Sequence, residues 1–213
     1  MPTLGETTRR ILNETRRDEA TEGSNVQDCI LDAIQHYEMQ RFHFNQDRSE
    51  TFSTVAAQQY YGSSALASIP YILEFDNVAI DIASSDVRNL KKVPWETIQQ
   101  WNADGASSGQ PSHYAYYAQE IRLYPIPNNV WTVTISGLFQ LAVPSLSTDT
   151  GAWLTRGQGY NLIKYHAKSL FCADYIDDDK GAQKAAAKAQ FELDELMRSL
   201  SRRQASGEIE PSL

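Results

Sequence analysis

The stretch from residue 109 to residue 141 constrains this chain more than any other. Its first part, GQPSHYAYYAQEIRLYPIP (109–127), is dense in β-favouring side chains: Tyr114, Tyr116 and Tyr117, then Ile121, Leu123 and Tyr124. Pro125 and Pro127 stop that run, because neither has an N–H to give to a ladder. After a turn at Asn128 and Asn129, the stretch 130–141 (VWTVTISGLFQL) separates by parity. Val130, Thr132, Thr134 and Ser136 fall on one side and Trp131, Val133 and Ile135 on the other, the period of a half-buried antiparallel strand. The middle of the chain must therefore build an antiparallel β layer.

Helical periodicity surrounds it. Residues 3–19 carry a thin stripe of Leu4, Ile11 and Leu12, too narrow to hold a helix without a neighbour. Ser24 with Gln27 reads as a capping box opening a second helix, which runs to about residue 42 or 44 with Val26, Cys29, Ile30, Ala33, Ile34 and Tyr37 on one face. Strands are expected over 50–61 and 71–82, divided by Gly62-Ser63-Ser64 and Pro70. A shorter strand over 87–93 precedes a helix that opens at Pro94 and ends by Gly105, and 103–112 reads as a loop.

Beyond the link SLSTDTG, residues 153–176 form a long helix with Tyr160, Leu162, Ile163, His166, Ala167, Leu170 and Phe171 on one side. Gly181 marks the turn into the last helix, whose stripe is Ala182, Ala185, Ala186, Ala189, Leu193, Leu196, Met197 and Leu200. The expected fold is α+β. Helices from both ends (1–46 and 145–200) make a bundle, the β-rich middle (47–144, with a short helix at 94–104) is inserted between them, and 201–213 is a flexible arm.

Composition narrows the function classes. A formal net charge of −8 opposes a protein that grips nucleic acid, since non-specific affinity comes from cations neutralising phosphates. No apolar run nears the ~20 residues that span a bilayer, so no membrane partner is expected. The two cysteines, Cys29 and Cys172, sit at helical spacing among apolar residues and read as buried free thiols.

Chemistry-bearing constellations are weak. Asp174, Asp177, Asp178 and Asp179 lack the alternating spacing of a calcium loop and read as a solvated helix end. Arg156-Gly-Gln-Gly159 has no Gly-Lys-Ser/Thr and no strand before it, so it is no phosphate loop. The histidines, 36, 43, 113 and 166, are scattered; each reads as partly exposed or hydrogen-bonded rather than ligating, and no nucleophile elbow accompanies them. The basic pairs Arg9-Arg10, Arg16-Arg17, Lys91-Lys92 and Arg202-Arg203 sit among acids or polar residues and suit solvated faces or ion pairs between subunits. The expectation is a chain without catalytic residues, cofactor or metal.

One ordering of residues points further. Trp101, then Gly109-x-Pro111-x-x-Tyr114, a strand, Leu123-Tyr124-Pro125-x-Pro127, a second strand and a helix pair from Trp153 together resemble the head-to-tail connector (adaptor, tail accessory factor or tail tubular A-like) proteins of tailed phages, over residues 94–200. That resemblance implies a structural virion protein at the head–tail junction, present in the host cytoplasm during assembly. Its partners would be the portal protein, a tail or nozzle protein, and further copies of itself in a ring of twelve whose lumen passes DNA without binding it specifically. The helix pair would form the ring wall, with Tyr160, Leu170, Leu193 and Leu196, and the arm 204–213 would dock in a portal cleft through Gln204, Ile209, Pro211 and Leu213. A virion-associated glycan-cleaving enzyme and a tail-fibre-type binding module are the rival expectations.

Overall fold

The computed structural model describes residues 2–42, 44–62, 66, 69, 71–83, 86–141, 143–151, 153 and 157–205. The chain is α+β and divides into two compact units, one built from 1–44 with 141–213 and the other from 45–140.

The first unit is helical. Helix α1, Leu4–Thr15, opens with a capping box in which the Glu6 N–H donates to Thr3 Oγ1 (3.1 Å) and the Thr3 N–H donates to Glu6 Oε2 (3.3 Å). Its next free N–H groups are taken by residues 147–149 of the same unit: Leu4 donates to the Asp149 carbonyl (3.0 Å) and Gly5 to that of Ser147 (2.8 Å). A Cβ at position 5 would lie 2.9 Å from that Ser147 oxygen, so glycine is what lets the link approach. The link is itself pinned by Asp149, whose carboxylate accepts from the Leu146 N–H (2.8 Å) and the Ser145 N–H (3.1 Å). Those bonds hold its carboxyl below the usual range.

Arg16 turns left-handed (φ 56°) and ends α1, and Asp18 caps α2, Glu19–Tyr37. The expected boundaries change accordingly. Helix α1 stops before residue 19, α2 starts five residues before Ser24, and Ser24 lies inside the helix instead of capping it. The earlier break wins because a left-handed residue followed by an Asp cap satisfies both helix ends within three residues. The expected stripes hold: Leu4, Ile11 and Leu12 on α1 and Val26, Cys29, Ile30, Ala33, Ile34 and Tyr37 on α2 are all buried.

Helices α4, Gly157–Asp174, and α5, Asp179–Ala205, lie antiparallel, as the pairs Asn161 with Glu192 and Ser169 with Ala182 show. The turn between them is made by Asp177 (φ 53°) and not by Gly181, which is in the first turn of α5. The Asp178 carboxylate accepts the Gly181 N–H at 3.0 Å and crowds the place a Cβ would take there. Helix α5 runs past residue 200 to Ala205, since nothing in SRRQA breaks a helix. Phe42, Phe44 and Trp153 pack ring on ring at 5.1–5.2 Å beside the aliphatic core.

Among the described residues the second unit holds ten strands. One sheet has the order β1 (Gln46–Ser53), β10 (Thr132–Phe139), β3 (Ile72–Ala83), β4 (Asp86–Asn89), all antiparallel. The other runs β2 (Tyr60–Tyr61), β8 (Glu120–Tyr124), β7 (His113–Tyr117), β5 (Lys91–Lys92), and its β5–β7 pair is parallel. A small parallel pair joins β6 (Ser108–Gly109) to β9 (Ile126–Pro127). Helix α3, Trp95–Ala103, sits between β5 and β6 in sequence and buries Ile98; Pro94 is its N-cap.

Strand β10 keeps the expected parity, with Val133, Ile135, Gly137 and Phe139 buried and Thr132 outside, and departs from it at Leu138, which is buried as well and lies between register shifts at Ser136/Gly137 and Leu138/Phe139. The backbone of β3 crosses so close at Glu74 that no Cβ fits at Gly137. Inward residues of both large sheets, Val78, Ile80, Val133 and Ile135 with Tyr61, Tyr114, Ile121 and Leu123, share one core. The single run expected over 114–124 is a hairpin: Ala118 (φ 49°) and Gln119 (φ 62°) reverse the chain, and Tyr114 pairs with Leu123.

Candidate interaction surfaces

In the helical unit, polar groups meet in complementary sets. Glu14 at the end of α1 accepts from Lys168 (2.9 Å) and Lys164 (3.3 Å) on α4. Burial pushes the Glu14 carboxyl up, but these two lysines outweigh it and hold it below the usual range. Tyr37 and His166 share a 2.8 Å hydrogen bond at His166 Nδ1, and the His36 ring lies edge-on at 4.7 Å from both rings. Burial, and then the charge of His36, push His166 below the ordinary histidine value. The sequence shows four scattered histidines; the fold brings two of them together across α2 and α4.

His113 accepts or donates at Nδ1 with the Ser112 hydroxyl (2.9 Å) and meets the edge of Trp101, while His43 lies outside the described residues. Among the described residues no three His, Cys, Asp or Glu side chains are placed to hold a metal ion. Both cysteines are buried free thiols, and burial, reinforced by Asp174, Asp32 and Asp28, pushes Cys29 up to about 12. Of the acidic run, Asp178 caps α5 and Asp174, Asp177 and Asp179 are exposed.

Of the four residues expected on a ring wall, Tyr160 and Leu196 are buried within the chain itself. Tyr160 is buried and accepts a hydrogen bond from Arg10 (3.2 Å), and Leu196 is 1% exposed. Leu170 and Leu193 pack against the same core. These side chains hold the bundle together within one chain. Phe191 and Met197 are exposed on α5. Of the arm, Gln204 falls in the last turn of α5, and Ile209, Pro211 and Leu213 lie outside the described residues.

The helix pair and the end of α1 enclose an open groove of about 270 Å³. Its cations are Arg16, the C-cap of α1, with Lys168 on α4 and Lys184 and Lys188 on α5, and among the described lining residues Glu14 and Asp178 are the acids that oppose them. The floor is apolar, with Tyr165, Ile176 and Ala185; the Lys188 ammonium stands 5.0 Å from the Tyr165 ring centre. The sequence carried one sign of this groove, Lys184 and Lys188 one helical turn apart, but nothing in it joins them to Arg16.

In the β unit a different constellation was missed. Arg122 lies on the face of β8 opposite the core residues Ile121 and Leu123, is covered by Tyr60 and Trp95, and is 4% exposed. Its guanidinium carbon lies 4.5 Å from the Tyr60 ring centre and 5.3 Å from that of Trp95. Its Nε donates to Gln59 Oε1 (3.3 Å), which also accepts from Asn102 Nδ2 (2.8 Å), and its Nη1 is buried with no hydrogen-bond partner. Trp95 continues to Tyr117 at 6.0 Å, and Tyr60 and Tyr117 are exposed. An arginine between Ile121 and Leu123 in a strand otherwise free of charge at its centre was the available sequence signal.

No helix among the described residues is long and apolar enough to cross a membrane. Compared with known proteins by sequence, the chain matches no family model and no curated protein.

Proposed function

We propose that this chain is a structural virion protein, a head-to-tail connector whose copies form a ring between the portal and the tail or nozzle of a tailed phage. The observation that carries the reading furthest is the cluster of Tyr60, Trp95 and Tyr117 over Arg122. Tyr, Trp and Arg are the residue types that dominate binding energy where proteins meet, and an open aromatic surface over a buried cation is suited to docking. The order of the middle and C-terminal elements, which resembles the connectors, narrows docking in general to this assembly.

Twelve copies at −8 each carry about a hundred formal negative charges. A share of them facing the lumen would let DNA slide without sticking. The reading has no catalytic step, so alanine at His36, His113 or His166 alters stability at most.

Electron cryomicroscopy of the purified chain, alone and mixed with portal, tests it. Twelve-fold rings seated on portal are expected, together with no retention of duplex DNA in a gel shift at physiological salt. A stable trimer unchanged by portal, or clearing of a peptidoglycan zymogram, would overturn it.

A further inference from the structure

We infer that the groove between α1, α4 and α5 is the seat for residues 206–213 of a second copy of this chain, so that each subunit is strapped to the next. The connector reading sends this segment to a portal cleft; the groove offers it a seat on another copy. The inference rests on that reading only in taking neighbouring copies to be held side by side.

Three observations carry it. The first is charge. Four cations against two carboxylates leave the groove at a formal +2 on a chain whose net charge is −8, and the segment SGEIEPSL brings Glu208 and Glu210 and no cation. The second is the pattern of apolar groups. Ile209 stands between the two glutamates, matching a floor of Tyr165, Ile176 and Ala185 with lysines on its rim. Burying such a side chain while the carboxylates stay at the rim joins hydrophobic gain to charge pairing without burying a charge.

The third is reach, which decides between one copy and two. At ~1.5 Å rise per residue, Lys184 and Lys188 lie about 32 and 26 Å back along α5 from Ala205. Ile209 follows Ala205 by four residues, at most about 14 Å even fully stretched. A subunit therefore cannot seat its own Ile209 in its own groove, and the occupant must come from another copy. A segment that always enters a neighbour is a head-to-tail contact, the kind that closes a ring. One such strap is weak; successive straps in a closed ring act at high effective concentration.

Disulfide trapping on the full chain tests this without portal. One variant carries Ser212→Cys, which keeps Ile209 and both glutamates, and the other Thr15→Cys, at the groove margin, which keeps all four cations; Cys172, which lines the groove, is changed to Ala in every variant, and Cys29 is buried and does not line it. Mixed under mild oxidation, the two should give a mixed disulfide dimer well above the level seen when Thr15→Cys is replaced by Val130→Cys, an exposed control in the other unit. Adding Lys184→Glu and Lys188→Glu to the groove partner should lower the yield about tenfold, and so should high salt. Circular dichroism checks that each variant is folded, and Lys184→Gln with Lys188→Gln replaces any charge reversal that is not. A yield no higher than the control, a yield indifferent to the lysines, or a closed monomer from the chain bearing both cysteines would overturn the inference. Rings that fail to form on portal while the disulfide forms would instead count against the connector reading alone.

Discussion

The two units treat their least exposed cations differently. In the helical unit the charges and rings come in complementary sets: Glu14 with Lys164 and Lys168, Tyr37 with His166, Arg10 with Tyr160. In the β unit the most buried cation, Arg122, has two aromatic faces and an amide oxygen but no carboxylate among the described residues. The contrast separates holding a shape from meeting a partner. A bundle assembled from distant parts of the chain depends on contacts that are complete within it. A contiguous β unit, stabilised by its own ladders, can carry a cation held by rings that also face solvent.

The comparison breaks first at the cores. Phe171 is fully buried in the bundle, so Phe171→Ala should cost about 3–5 kcal/mol, read by urea denaturation followed at 222 nm. A loss below about 1 kcal/mol would mean that the bundle is not held by this core.

Arg122 sharpens it next. Arg122→Ala removes a packed stem and two ring contacts and should cost about 2–3 kcal/mol, whereas Arg122→Met keeps the volume without the buried charge and should stay within about 1 kcal/mol of the parent. Equal large losses in both variants would show that the charge itself, and not its stem, holds the β unit.

The pH response should distinguish the units too. His166 is held below its ordinary value of 6.5, so the folded bundle binds fewer protons than the unfolded chain as pH falls through that value. Bundle stability contributed by neutral His166 is complete above about pH 7 and is lost as pH drops below 6.5 toward the depressed value. Melting temperatures between pH 7.5 and 5.5 should fall for the parent and flatten for His166→Gln. An unchanged slope in the variant would assign the acid response elsewhere.

The smallest effect lies in the β unit's hairpin. Gln119 occupies the left-handed region that glycine adopts freely, so Gln119→Gly should stabilise by about 0.5–1 kcal/mol in thermal melts. A net loss there would mean that the Gln119 side chain, which lies 3.5 Å from the Ile72 carbonyl, matters more than the backbone.

That hairpin also marks where sequence reading stops. Periodicity located the buried faces of α1, α2 and β10 residue by residue, because apolar spacing is the same signal that folding uses. Turns depend instead on a few dihedral angles, and Ala118 and Gln119 adopt a conformation that their side chains do not advertise, which is why one run became two strands. Ser24 and Gly181 failed for the reverse reason: each has the chemistry of a helix end, but a stronger cap a few residues earlier had already started the helix. The groove and the Arg122 cluster were the least legible. Arg16 and Lys184, like Tyr60, Trp95 and Arg122, become neighbours only once separate elements pack.

The discontinuity of the helical unit also sets the order in which it can form on the ribosome. Helix α2 ends at residue 37 and α4 begins at residue 157, a gap of 119 residues. At roughly 5–20 residues per second, α1 and α2 wait about 6–24 s with Ile11, Val26 and Ile30 uncovered. Residues 45–140, which hold all ten described strands, emerge during that interval. The β unit is thus complete in sequence before the helical one is, and the apolar surface left longest without its partner belongs to the part synthesised first.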